Sequence, residues 1–102
     1  MTDPVLARRS LERANRARAI LEDELVSEIF NRLERRLVET WAASAPSEGL
    51  MREESYRSLR ALQNFRAEFE RLLSDGKVAE RDLNELKARS VRQQTGENHG
   101  RQ

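Results

Sequence analysis

Cysteine is absent from the 102 residues, so neither a disulfide framework nor a thiolate metal site is available. Histidine occurs once, as His99 in a polar C-terminal stretch, which takes the commonest general base and metal ligand out of any folded part. The four glycines stand singly at 49, 76, 96 and 100, so there is no glycine-rich loop to cradle a phosphate. No apolar run approaches the ~18 residues that a membrane-spanning helix needs. Met1-Thr2-Asp3-Pro4 lacks the apolar core of a signal peptide, and the expectation is a soluble intracellular protein.

What is present is charge and helix formers. Charged residues make up 36% and hydrophobic residues 37%, between an ordinary globular domain and a charged helical assembly protein. A chain of this length forms one domain at most and buries a modest share of its surface. Oligomerisation or docking on a partner is a natural way to complete such a core. The net charge of +1 conceals a gradient. Residues 1–21 carry five arginines against Asp3 and Glu12, net +3, and residues 22–43 carry six acids against three arginines, net −3.

Two apolar stripes at helical spacing dominate the pattern. The first is Leu25, Val26, Ile29, Phe30, Leu33, Leu37 and Trp41; the second is Met51, Leu59, Leu62, Phe65, Phe69, Leu72 and Leu73. The segment Ser44 to Leu50, with Pro46 and Gly49, separates them, which spells a helical hairpin. Upstream, Pro4 suits a first helical turn. Leu6, Ala7, Leu11, Ala14, Ala17, Leu21 and Leu25 then make a thin, alanine-rich arc that permits close packing but buries little area. Asp23 is either an N-cap or an ordinary surface residue, so a break near Glu22–Glu24 and a continuous helix both remain open. The helix over about 24–43 carries a favourable Glu28–Arg32 pair on its polar side.

After the loop, Ser47 or a neighbour is expected to start a helix that ends near Ser74, with Gly76 as a left-handed residue closing its last carbonyls. A short final helix over about 77–90 would present Ala79, Leu83 and Leu86. Residues 91–102 hold one sizeable apolar residue and are expected to stay flexible.

Enzyme signals are missing. The carboxylates fall on polar helix faces, and the densest group, Glu22, Asp23, Glu24 and Glu28, lacks the looped oxygen cage of a cation site. No serine has a histidine within the folded part to activate it. Arg9, Arg13 and Arg16 cluster on one side of the first helix and could neutralise phosphates. Glu12 lies near them, and the domain as a whole is not strongly basic, so direct nucleic-acid binding is the lesser reading. The stripes favour protein contact, because a two-helix hairpin leaves the flanks of Phe30, Phe65 and Phe69 near water. Arg66 beside the second stripe either snorkels or sets the register of a partner helix. Tyr56 lies well off its helix's stripe; it is either simply exposed, packed against Trp41, or part of a partner-facing patch with Trp41.

The order of these signals resembles a family of short helical proteins encoded by tailed bacteriophages, often near virion-structure genes. The similarity covers about residues 14–88. It rests on the Ala-rich start into Ile20-Leu21, the run from Phe30 to Trp41, the short polar loop, Arg52-Glu53-Glu54-Ser55-Tyr56, and the block from Phe69 through Ser74-Asp75-Gly76-Lys77-Val78-Ala79 to Leu83. Where such relatives carry a break such as Asn-Pro before the second helix, this chain has Asp23-Glu24. The resemblance implies a context and no catalytic residue.

The expected architecture is therefore all-α: a helical domain over 1–90, built as a hairpin extended to a small three- or four-helix bundle, and a disordered polar tail over 91–102. The expected function is a non-enzymatic protein–protein interaction component of a phage particle or its assembly, in the host cytoplasm or the virion. It would act as an oligomer or docked on a larger virion protein, through Phe30, Leu37, Trp41, Tyr56, Phe65 and Phe69. The alternative is a small nucleic-acid-binding protein, in packaging or regulation, using Arg9, Arg13 and Arg16. No cofactor, metal, membrane or small-molecule substrate is expected.

Overall fold

The computed structural model describes the backbone of residues 3–100 and the side chains of residues 3–93. Three helices follow in order: α1 (Pro4–Glu22), α2 (Glu24–Ala43) and α3 (Gly49–Gly100). The protein is all-α, and α2 and α3 form the expected hairpin. Pairings of Trp41 with Arg52 and of Phe30 with Phe65 and Arg66 show that they run antiparallel. α1 also runs antiparallel to α3, with Ala14 against Gly76 and with Ala17 and Ile20 beside Phe69 and Leu72. The result is one interrupted helix laid along one continuous helix, with extents of 84 × 27 × 17 Å.

The break between α1 and α2 is a single residue. Asp23 has extended backbone (φ −63°, ψ 124°), its N–H donates to the carbonyls of Ala19 and Ile20, and its Oδ1 accepts from the Val26 N–H at 2.9 Å. One residue thus closes α1 and caps α2, as a short acidic side chain at an N-cap can. The reason lies in the phase of the residues that face α3. In α1 these are Ala7, Ser10, Ala14, Ala17 and Leu21, and in α2 they are Ser27, Phe30, Glu34 and Leu37, all buried or half-buried. Ala7, Ala14 and Leu21 recur every seven residues, but the next in line is Ser27, six residues on. A continuous helix would carry the second set about 100° away from α3, and the extended residue at position 23 restores the phase.

Two expectations are corrected. Asp75-Gly76 does not end a helix: α3 passes through it, no residue with positive φ occurs among those described, and the separate helix expected over 77–90 is the continuation of α3. Four helices are thereby excluded among the described residues. The helix starts at Gly49, two residues after Ser47, following a turn in which Pro46 follows Ala45 and the Glu48 N–H donates to the Ala45 carbonyl at 2.9 Å. The helical backbone continues through residues 91–100 without a boundary at residue 90; Val91, Arg92 and Gln93 are exposed. The expectation of flexibility for the rest of the tail, His99 included, falls outside the described side chains.

The α1–α3 seam is the most closely packed part of the molecule, contrary to the modest role its thin stripe suggests. Its buried residues are small: Ala7, Ala14, Ala17, Gly76 and Ala79. A Cβ on Gly76 would overlap the methyl group of Ala14, so the two backbones meet at a distance only glycine permits. The α2–α3 seam carries the large side chains instead, yet α2 has no buried residue.

Candidate protein-interaction surface

Apart from Val38, 41% exposed on the other side, the large apolar residues of α2 divide between the seam and one flank. At 100° per residue, Val26, Leu33, Ile29 and Leu25 step progressively away from the seam. Their exposure rises in the same order: Val26 is half-buried, and the others are 37%, 44% and 62% exposed. On α3 Phe65 occupies the matching flank, 57% exposed. Because the helices are antiparallel, the two flanks fall on the same side of the hairpin. The Phe30 and Phe65 rings meet there, centroids 6.0 Å apart, and Phe69 closes on Phe65 edge-on at 5.3 Å. Ile20 and Leu72 extend this side towards α1, in an open groove that Arg13 and Arg16 also line. This side is called the front below.

The six residues expected to form a partner interface do not make one patch. Phe30, Phe65 and Phe69 come together on the front. Leu37 is half-buried in the seam. Trp41 lies at the closed end, 41% exposed, with the Arg52 guanidinium carbon 5.4 Å from its ring centroid. Tyr56 is 54% exposed and nine residues before Phe65, which is half a turn away on α3 and therefore on the opposite side. Trp41 thus packs under Arg52, and Tyr56 stands apart from the phenylalanines. Arg66 lies half-buried with its guanidinium carbon 5.9 Å from the Phe30 ring centroid, covering an aromatic face rather than reaching for a carboxylate.

Arg9, Arg13 and Arg16 are exposed within a narrow arc of α1, and among the described residues none of them makes an ion pair. The expected Glu28–Arg32 pair forms at 2.9 Å, alongside Glu53–Arg57 at 2.6 Å and Glu68–Arg71 at 2.9 Å. All three are exposed pairs within one helix and contribute little to stability. The grooves between the helices are open to solvent; the one beside Pro4, Leu11, Leu83 and Leu86 is also lined by Arg8, Glu80, Asn84, Lys87 and Ser90. Among the described residues no acidic or histidine side chains converge as a metal site, and no helix is long and apolar enough to cross a membrane.

The tight contact of Gly76 with Ala14 and the one-residue phase slip at Asp23 escaped the sequence reading. Both had a signal. Ser55, Leu62, Phe69, Gly76 and Leu83 recur every seven residues, and all are buried or half-buried, which marks Gly76 as a seam position and not a terminus. Set beside known proteins, the chain matches no family model, no curated protein and no solved structure.

Proposed function

We propose that the protein is a non-enzymatic helical interaction component, working by self-association or by docking on a larger protein. The observation that carries this reading is the core itself. Its buried hydrophobic residues are four alanines, with no large side chain fully buried, while Leu25, Ile29, Trp41 and Phe65 are all more than 40% exposed. Apolar side chains of this size stabilise a fold by about 1.5–3 kcal/mol each when fully buried. A fold that leaves them wet is one whose hydrophobic surface is completed by something else. The phage setting, in the virion or its assembly, is supported by the sequence resemblance alone. Purifying the phage particle or its assembly intermediates tests it: the protein co-purifies in fixed proportion to a structural protein. A protein found only free in the host cytoplasm, with no such partner, would overturn the setting.

A second reading has its own observation, the three unpaired arginines Arg9, Arg13 and Arg16 along one arc of α1. Under it, the triple alanine variant binds duplex DNA or RNA more weakly and with a flatter salt dependence, by about one unit of logarithmic slope for each phosphate no longer neutralised. Unchanged binding would remove this site from consideration.

A further inference from the structure

We infer that the front face receives a second copy of this chain, the two rods lying parallel about a two-fold axis along their length. α1 and α2 of each copy then face α3 of the other, a contact that rests on the interaction reading above and gives it a partner. The chain exposes 8429 Å² for a mass of 11.9 kDa, where a compact monomer of that mass exposes about 5,900 Å². The end of α3 that runs past Pro4 takes up part of this surplus of roughly 2,500 Å². A standard interface needs only ~800 Å² per partner.

Four rows of residues at heptad spacing line the front. The two rows nearer the seam are mainly apolar: Ile20, Val26 and Leu33 on α1 and α2, and Met51, Phe65 and Leu72 on α3. Arg13 is the one charge among them. Over the length that α1 and α2 span, each of the two rows farther out carries a single sign. α1 and α2 present Arg9, Arg16 and Arg36, with Ile29 in the same row because the phase slip at Asp23 carries it across the break. Asp23 itself is turned to the Val26 N–H. α3 presents Glu54, Glu68, Asp75 and Asp82, each a multiple of seven residues from the next. Glu54 lies about 20° from Phe65 around α3. Asp75 and Asp82 line an open groove with Leu6 and Ser10, which stand seven residues before Arg13 and Ala17 of the groove described above. Glu68 pairs with Arg71 of its own helix; among the described residues the other six charges of the outer rows make no ion pair.

Height along the rod decides the orientation. Ala14 is level with Gly76, so Arg16 is level with Asp75, and Arg9 with Asp82, to within about 1.5 Å, the rise of one residue. The contact of Trp41 with Arg52 likewise sets Arg36 within a turn of Glu54. A two-fold along the rod keeps every height and exchanges the layers. It lays the arginine row of one copy beside the acidic row of the other along both edges of the contact, with the apolar rows between. An axis across the front turns the second copy end for end, and sets arginine row against arginine row and acidic row against acidic row. A nucleic acid or an anionic lipid surface is drawn to one row and repelled by the other. A face whose opposite rows match at equal heights is complementary to itself, which is what an isologous contact needs. The flanking charges choose the partner and its orientation, and the apolar rows supply the affinity. The product is a four-helix section in which neighbours run antiparallel, the ordinary arrangement of such bundles.

Sedimentation equilibrium of the full chain tests this, because mass and its concentration dependence are read directly. The expected species is a dimer, twice 11.9 kDa, that dissociates on dilution. Leu33→Glu and Phe65→Glu raise the dissociation constant about a hundred-fold or more, as loss of a central apolar anchor does. Val38→Glu and Tyr56→Glu, away from the front, leave it within about three-fold, the range of a peripheral change. Reversing the arginine row with Arg9→Glu and Arg16→Glu raises it about ten-fold or more, and adding Asp75→Arg and Asp82→Arg brings it back within about three-fold. Circular dichroism on the same samples separates loss of the dimer from loss of the helices. Orientation is read from spin-label distances at single cysteines, since the chain has none of its own. Val5→Cys and Leu50→Cys, at opposite ends of the rod, each give a separation below about 40 Å, whereas any end-for-end packing puts at least one pair beyond about 50 Å. A monomer at every concentration, an oligomer indifferent to Leu33→Glu and Phe65→Glu or to the arginine reversal, or a long separation at either end would each overturn the proposal. A monomer that still co-purifies with a structural protein would do so while leaving the wider interaction reading in place.

Discussion

Ala14 is wholly buried and Gly76 faces it across the α1–α3 seam, with no space for a methyl group on the glycine. Helix propensity alone predicts that Gly76→Ala stabilises α3 by about 1 kcal/mol. Steric overlap predicts the opposite, and the magnitudes decide. Ala14 has no rotamer through which to yield, so relief requires the two backbones to separate and loosens the packing of Ala7, Ala17 and Ala79 as well. Overpacking of this kind costs about 1–3 kcal/mol. The expected result is that Gly76→Ala lowers the urea midpoint followed by circular dichroism, at fixed protein concentration. Gly49→Ala, where no neighbouring atom lies within 4 Å, leaves the midpoint unchanged or raises it slightly. A stabilised Gly76→Ala would show that the two helices can part without loss.

At the scale of elements, the hairpin and the α2 helix were legible from apolar spacing and from Pro46 and Gly49 in the loop. The course of α3 was not. Asp75-Gly76 is a common helix-ending pair, and local chemistry there favours a stop. Seam packing against α1 overrides it, since a glycine that admits Ala14 lets α3 run on against α1 over a length that a left-handed turn would forfeit. Asp23 resolves differently. Sequence left it as cap or surface residue, and the phase slip between Ala7–Leu21 and Ser27–Leu37 requires the break. Asp23→Ala removes the acceptor of the Val26 N–H and destabilises the fold by about 1 kcal/mol. Thermal unfolding at fixed concentration reads this as a lowered midpoint, and Asp23→Asn or Asp23→Ser restores most of it because each can accept the same bond. If Asp23→Ala unfolds at the wild-type temperature, the cap contributes nothing and the break rests on seam phase alone.

For the whole molecule, the decisive fact is thickness. Two layers of helix give α3 a covering on one side only, and they leave α2 without a buried residue. Local stability follows burial, so amides in the middle of α1, around Ala14 and Ala17, are expected to exchange about ten-fold or more slowly than those of α2 in dilute protein. Hydrogen exchange followed by mass spectrometry checks this, and equal protection of α1 and α2 at high dilution would contradict this packing.

The candidate surface was half legible for the same reason. Periodicity identified Phe30, Phe65 and Phe69 as apolar positions of their helices, and these do meet. It grouped Trp41 and Tyr56 with them because aromatic type is visible in a sequence while the side of a helix pair is not. The sequence by itself determined the helical class, the hairpin loop, the opposed charges of its first two segments, and an apolar surface larger than its thin first helix can cover. Those properties depend on local propensity and composition, which each residue carries with it. The tertiary structure decided the unbroken run of α3, the closeness of Ala14 to Gly76, and the division of one apolar stripe into a seam and an exposed flank. Each of these depends on which side of one helix lies against another, and that relation exists only after the chain has packed.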